Sequence, residues 1–353
     1  MENASDLTTR FPGIPEKVFA YRFPYWKWPV LRQCFPGREV VFVEKEEQIP
    51  PASWLLLWGV SPVPEGLSGG VRILRVEDGF LRSVGLGADL IKPLSWVVDG
   101  SGIYYDASKP SDFELLCMTM KFDEALLSRA ASLRQRIVAH GVTKYNVGQS
   151  SWLRPRYASK VILVPGQVES DASIALGASS FRANMELLMA VRESNPDAYL
   201  VYKSHPDVQA RLRAEGRGEN EACRWCNEVV TDVPMGNLLK EVDEVHVLTS
   251  LAGFEALLFG KAVTCYGQPF YSGWGLTRDV VPNPSRSRKL GLDELAAVAL
   301  IEYPLYLSRD GKRLVSPEYV LDELLSWRDQ SGGGIPWWRK VVRIFLRRII
   351  GVR

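Results

Sequence analysis

The sequence predicts an α/β protein built from two doubly wound units that face each other across a cleft. Three observations carry that expectation. In the second half of the chain, apolar runs at 161–164, 199–202, 245–248 and 262–266 are rich in β-branched residues and read as strands. Helical patterns separate them, so the strands are expected to be parallel, with their carboxyl ends on one edge. Each run is followed by a short polar cluster: Gln167-Val168-Glu169-Ser170-Asp171, Lys203-Ser204-His205-Pro206, Thr249-Ser250, and the stretch 267–275. In open α/β sheets that edge is where ligands bind.

The first unit is expected over residues 1–155. Short runs at 40–43, 54–58, 73–76 and 96–98, rich in Val, Leu and Trp, read as buried strands. Ser111-Asp112-Phe113-Glu114 has the form of a capping box, and a helical pattern follows it to His140, with Gly141 as its stop. The aromatic segment 21–28 reads as a loop packed onto the core rather than as a sugar platform. The second unit spans 156–330, with helices expected over 179–194 and 253–259 and a return of later helices to the first unit. A triple glycine, Gly332-Gly333-Gly334, then leads into a tail.

Composition narrows the class. With 353 residues there is room for two domains, each with its own core. Apolar residues at 46% and charged residues at 24% are ordinary for a globular chain, and no apolar run is long enough to cross a bilayer. Five cysteines with irregular spacing do not form a disulfide framework, and the Cys223/Cys226 pair has no second pair to complete a zinc site. Residues 1–10 are polar and lack a signal-peptide core, so the expected location is cytoplasmic. The net charge of +2 hides an asymmetry: residues 337–353 hold six basic groups and no acid, and without them 37 basic face 41 acidic residues. Trp338, Val341, Val342, Phe345 and Ile349 recur there at helical spacing, which predicts a basic amphipathic helix suited to the anionic inner face of a membrane. Nucleic acid is not an expected partner.

The polar clusters supply the chemistry. His205, one of three histidines, precedes a proline at a strand end, where it can donate a hydrogen bond to a phosphate with Lys203 adding charge. Thr249 and Ser250 precede a helix whose first amides form an anion site, although plain capping explains them equally. Glu255, one turn on, can accept from ribose hydroxyls. Asp171 lies one strand–helix–strand unit before His205, so adjacent parallel strands bring the two together; a carboxylate beside a phosphate site suits covalent catalysis at an anomeric carbon. Glu77, at a strand end of the first unit, can approach from the other side as acid/base. No Asp-x-Asp element stands in a strand-end loop, so a metal-independent reaction is expected, without a cofactor.

Taken together, Glu77-Asp78-Gly79-Phe80-Leu81-Arg82-Ser83, Lys144-Tyr145-Asn146, the clusters at Gln167, Lys203 and Ser250-Leu251-Ala252-Gly253-Phe254-Glu255, the segment 266–276 and Tyr303-Pro304 resemble the capsule polysaccharide biosynthesis family. Within it they look most like the KpsC-type retaining β-Kdo transferases. The resemblance implies a GT-B-like fold of two Rossmann-like domains and a CMP-β-Kdo donor. It makes Asp171 the nucleophile and Glu77 the acid/base. His205 and Ser250 would hold the CMP phosphate, with Lys203, Ser204, Pro206, Thr249 and Gln167 around it, and Glu255 would bind ribose. Gln268, Tyr271, Gly273 and Trp274 would shape the donor pocket; apart from the resemblance, the charge of Arg82 in the same motif as Glu77 makes it the residue expected to meet the Kdo carboxylate. The acceptor would be a bacterial surface glycan or its lipid-linked precursor. KpsC-type proteins carry two transferase modules in tandem, whereas this chain has one set of motifs. An inverting transferase acting on another nucleotide sugar, and a non-catalytic glycan-binding subunit of an export system, are the competing readings.

Overall fold

The computed structural model describes residues 7–67, 69–85, 91–146, 148 and 150–331, so the predicted basic tail and its glycine linker lie outside the described residues. The chain first forms β1 (Lys17–Tyr21), β2 (Glu39–Val43), β3 (Trp54–Trp58), β4 (Arg72–Asp78) and β5 (Ser95–Asp99). It then forms β6 (Val161–Pro165), β7 (Tyr199–Lys203), β8 (Glu228–Val230), β9 (Glu244–Val247), β10 (Ala262–Cys265) and β11 (Arg278–Asp279), and last β12 (Pro304–Tyr306).

These strands make two six-stranded sheets, ordered β12-β5-β4-β3-β1-β2 and β11-β10-β9-β6-β7-β8. The second is parallel throughout, as the strand–helix alternation predicts. Its strand β6 is buried at every position, the pattern of a strand covered on both faces. In the first sheet β2, β1, β3 and β4 are parallel, while β5 runs antiparallel to β4 and β12 antiparallel to β5. The expected α/β class with two facing Rossmann-like halves is therefore what the chain forms.

The strand orders fix where ligands belong. In the second sheet the chain moves from β6 outward to β7 and β8, then returns to place β9 on the other side of β6. In the first it moves from β1 to β2, then places β3 on the other side of β1. Each sheet thus has one switch point, β6/β9 and β1/β3, where diverging connections leave a crevice at the strand ends.

Several local expectations need correction. The helix expected from Ser111 to His140 is two helices, Asp112–Thr119 and Glu124–His140, because Asp123 caps the second through Leu126 N at 2.8 Å. Ser111 caps the first, but Glu114 pairs with Arg286 at 2.6 Å instead of closing a box. The helix expected over 179–194 is Asn184–Ser194, with a separate short helix Ala172–Gly177 before it. The helix after Thr249 starts earlier than expected, at Leu251–Leu258, and packs so tightly that a Cβ on Gly253 would collide with Tyr271 Oη. Gly141 does end its helix, at φ 62°, a conformation that glycine adopts without strain.

Each half has a core of its own, around Val18, Leu56 and Trp96 in the first and around Ile162, Leu188 and Leu200 in the second, and the two are also joined. One large cluster joins Phe80, Val97 and Phe113 from the first half to Leu163, Val245, Phe254 and Phe270 from the second. Phe80 stacks on Phe270 with ring centroids 4.5 Å apart. The return of the chain ties the halves again: β12 completes the first sheet, and Pro317–Ser331 lies against Glu124–His140 through a bidentate Arg129–Glu318 pair at 2.7 and 3.0 Å. The two walls of the cleft therefore stand on a common interior.

Candidate active site

A cleft of about 1040 Å³ opens between the carboxyl edges of the two sheets, and both switch points face it. On the second-sheet side, Gln167 after β6 donates to Thr249 Oγ1 after β9 at 2.9 Å and to Ser173 Oγ at 2.8 Å. The switch point is thus bridged by side chains rather than left as a gap. The Gln167 loop is held from behind: Asn184 accepts from Gln167 N at 2.9 Å and donates to its carbonyl at 2.8 Å, and Glu169 accepts from Asn184 N.

Asp171 ends that loop and caps the short helix after it. Its Oδ1 accepts from Ser173 N at 2.9 Å and Ser173 Oγ at 2.8 Å, while Oδ2 takes no part in these bonds. The side chain is exposed to the cleft, and its charge acts on Tyr104 and Tyr105 from the first half as well as on Lys144 and His205. Asp171 and His205 thus share one pocket, as adjacency of β6 and β7 predicts.

His205 has a defined tautomer. Its Nδ1 accepts from Asp207 N at 3.1 Å, so in the neutral ring the proton sits on Nε2. Burial, helped by the Lys144 charge, pushes its pKa down to about 3, so the imidazole is neutral near pH 7 and offers an N–H donor. Ser250 caps the helix Leu251–Leu258 through Ala252 N at 3.3 Å, and that end of the helix faces the same space.

Glu77 and Asp78 approach from the end of β4. Glu77 Oε2 accepts from Tyr105 Oη at 3.2 Å, and Oε1 accepts from Asp78 N. Burial and the neighbouring Asp78 charge push Glu77 up to about 7. Burial acts the same way on Asp78, but the Arg82 and Lys27 charges outweigh it and hold Asp78 below its ordinary value. Two adjacent carboxyls are thereby driven apart in acidity, a pattern that separates acid/base from electrostatic roles.

The remaining sequence-predicted residues divide. Ser204 and Pro206 line the cleft. Lys203 does too, but its Nζ donates to the carbonyls of Thr231 (3.1 Å) and Val233 (2.8 Å), so much of its capacity holds the loop after β8. Arg82 is buried and donates through Nε to Asp78 at 2.7 Å and through Nη1 to Ser83. Glu255 lines the wall, accepts from Lys144 N at 2.6 Å, and is pushed up to about 7 by burial. Gln268, Tyr271, Gly273 and Trp274 are not in the wall of the cleft; Pro269 and Phe270 are the residues of that loop which reach it. Gln268 donates to Pro282 O, Tyr271 to Ser250 O, Gly273 N to Asp279 and Trp274 Nε1 to Phe270 O, so the loop buttresses the site from behind.

Other cleft residues carry no role in the sequence reading. Lys144 and Tyr145 enter from the turn after Gly141, tied to the first half by Ser83 N to Lys144 O and Gly85 N to Tyr145 O. Asn146 fixes that turn at φ 50° by bonding Thr143 and Ser83. Burial works against the Lys144 ammonium, yet Tyr145, Asp171 and Asp78 outweigh it and raise its pKa. Trp26, Lys27 and Trp58 line the opposite wall, so part of the aromatic segment expected only to pack faces the cleft. The motif Lys144-Tyr145-Asn146 was a usable signal for the first group; the second had none, because its place at a switch point is set by the strand order.

One wall therefore offers neutral donors, a helix N-terminus and a lysine to an oxyanion, with an exposed carboxylate beside them. The other offers a carboxyl that titrates near neutrality. Such a set suits substitution at a carbon that bears a phosphate leaving group. Two α/β halves with facing carboxyl edges and one polar cleft define a GT-B-like protein.

Within that class, the chain belongs to the capsule polysaccharide biosynthesis protein family, whose profile matches residues 67–146 and 123–306. It is 45% identical over 325 residues to the capsule polysaccharide modification protein LipA of Neisseria meningitidis serogroup B, covering 89% of this chain and 46% of LipA. It is 40% identical over 299 residues to the lipopolysaccharide-processing protein LpsZ of Rhizobium meliloti, covering 80% of this chain and 68% of LpsZ. The chain thus spans about half the length of the LipA proteins it matches. Among solved structures it resembles the β-Kdo 2,7 transferase of Thermosulfurimonas dismutans KpsC, with 38% identity and a TM-score of 0.73 over 88% of this chain and 99% of that one. The β-Kdo 2,4 transferase of the same KpsC matches at 29% identity and a TM-score of 0.74, over 90% and 99%.

Proposed function

We propose that this chain is a glycosyltransferase module that takes Kdo from CMP-β-Kdo and retains the β configuration by double displacement. The observation that carries the reading is an exposed carboxylate, Asp171, in one cleft with the Nε2–H of His205 and, on the facing wall, Glu77. In the first step an Asp171 oxygen attacks the anomeric carbon, the bond to the CMP oxygen breaks, and its electron pair leaves with the phosphate. The His205 N–H, the Ser250 hydroxyl, the amides that open Leu251–Leu258 and the Lys144 ammonium meet that charge. In the second step Glu77 takes the proton of an acceptor hydroxyl, whose oxygen attacks the same carbon as the Asp171 ester bond breaks. Two inversions leave the configuration unchanged. The similarity of this chain to the β-Kdo 2,7 and β-Kdo 2,4 transferases of KpsC, at 38% and 29% identity, supports the choice of Kdo as the transferred sugar.

With cations of the protein to meet the leaving charge, neither a metal nor a cofactor is assigned to the reaction. Purified protein given CMP-Kdo and a glycan acceptor is expected to release CMP and form a β-Kdo glycoside at the same rate with or without EDTA. Turnover restricted to a different nucleotide sugar with inverted product, or activity lost to EDTA and restored by Mg²⁺, would overturn the reading.

The same proposal places the chain on the inner face of the cytoplasmic membrane with a lipid-linked acceptor, through the six basic groups at 337–353. Among the described residues no helix is long and apolar enough to cross a membrane. The full chain should co-sediment with vesicles rich in anionic lipid, and a chain ending at 334 should not. Equal sedimentation of the two would remove the tail as anchor.

A further inference from the structure

Lys27 follows β1 at the switch point of the first sheet, and Trp58 ends β3 on its other side. Lys27 is 6% exposed, yet it lines the cleft. Its ammonium lies directly over the Trp58 ring and within 5.0 Å of the Trp26 and 5.7 Å of the Trp96 ring centroids. Among the described residues its Nζ makes no hydrogen bond and no ion pair within 4 Å. Three indole faces satisfy a cation only in part, because each offers a quadrupole and no acceptor lone pair. The stem of Lys27 is thus buried while its ammonium opens onto the cleft, where it is free to take an oxygen ligand.

The charge around it tells which oxygen. Glu77 and Asp78 face Lys27 and Arg82, with Asp78 already held by Arg82 at 2.7 Å, so the wall is balanced when all four are ionised and carries one net positive charge while Glu77 holds its proton. In that protonated state the wall favours an anion, and with Arg82 already paired to Asp78 the cation left to meet it is Lys27. The groups suited to a nucleotide phosphate stand at the other switch point, on β6, β7 and β9, so the two crevices of one cleft serve two ligands.

Resting on the transferase reading above, we propose that Trp26, Lys27 and Trp58 form the acceptor subsite, with Lys27 as the specificity-determining cation for a carboxylate on the acceptor sugar. The indole faces give the sugar ring an apolar surface to lie on, and the ammonium meets its oxyanion beside the carboxyl of Glu77. A neutral sugar on the same surface would offer the ammonium hydroxyl oxygens but no opposite charge.

The test is a binding measurement, so it does not depend on turnover. With CMP filling the opposite wall, methyl β-D-glucuronide and methyl β-D-glucoside are titrated into the full chain and followed by ligand-detected NMR. The wild type is expected to bind the glucuronide about tenfold or more tightly than the glucoside. In Lys27→Met the two should agree within about threefold, while CMP-Kdo affinity is unchanged. Equal binding of the two glycosides by the wild type overturns the proposal without any variant, which covers the case that Lys27→Met does not fold. If Lys27→Met instead loses CMP-Kdo affinity and keeps the preference for glucuronide, the carboxylate met by Lys27 is the donor's and the proposal also falls. Failure of CMP to bind at all would count against the donor assignment separately.

Discussion

Asp171→Asn is expected to lower Kdo transfer by about 10⁴-fold or more while leaving CMP-Kdo binding near its original strength. The structure makes this variant an unusually clean test, because Asp171 has two separable jobs. As a cap, its Oδ1 accepts from Ser173 N and Ser173 Oγ, and asparagine performs that job about as well as aspartate. As a nucleophile it needs a carboxylate lone pair, which the amide does not supply. A fold held by the cap should therefore persist while chemistry stops. Intact-mass spectra of wild-type protein incubated with donor alone should show one added Kdo, and the Asn variant none. Transfer by Asp171→Asn at a rate close to wild type would end the double-displacement mechanism, and with inverted product would favour direct attack with Glu77 as base.

Much of this arrangement was legible in the sequence, for an identifiable reason. A parallel strand buried on both faces writes itself as an apolar run, and a ligand site at its carboxyl end writes itself as the polar cluster that follows. The strands β3, β6, β7, β9 and β10 have that form, and the clusters at Gln167, His205 and Thr249 do meet in one cleft. Short edge elements such as β8, β11 and β12 carry too few residues to show a period, and β12 depends on a partner more than 200 positions away. The stretch 267–275 misled in the opposite sense. Its polar and aromatic residues look like a ligand loop, but Tyr271 and Trp274 are fully buried, with their polar atoms bonded to Ser250 O and Phe270 O. Tyrosine and tryptophan bury well once the hydroxyl or indole N–H has a partner, and that partner is set by tertiary contact. The lysine among tryptophans was invisible for the complementary reason: nothing in 21–28 says that Trp58 will stand beside it.

The pH dependence of transfer should expose both sides of the acceptor wall. Glu77, pushed up to about 7 by burial and by Asp78, must be ionised to accept the acceptor proton, so kcat/KM is expected to rise as pH increases toward 7. Lys27, pushed down to about 7 by burial, must be protonated to hold an anionic acceptor, so kcat/KM is expected to fall as pH increases beyond it. Asp78 raises Lys27 and Arg82 lowers it, and Asp78 raises Glu77 while Lys27 lowers it, so the two limbs of the bell belong to the group as a whole. Glu77→Gln should remove the rising limb and cost about 10²- to 10⁴-fold in rate. Lys27→Met should remove the falling limb. It should also move the rising limb to higher pH, because the carboxylate of Glu77 loses a nearby cation that favoured ionisation. A Glu77→Gln enzyme with an unchanged rising limb would exclude Glu77 as the base. A Lys27→Met enzyme whose rising limb stayed in place would mean that the ammonium and the carboxyl do not sense each other across the wall.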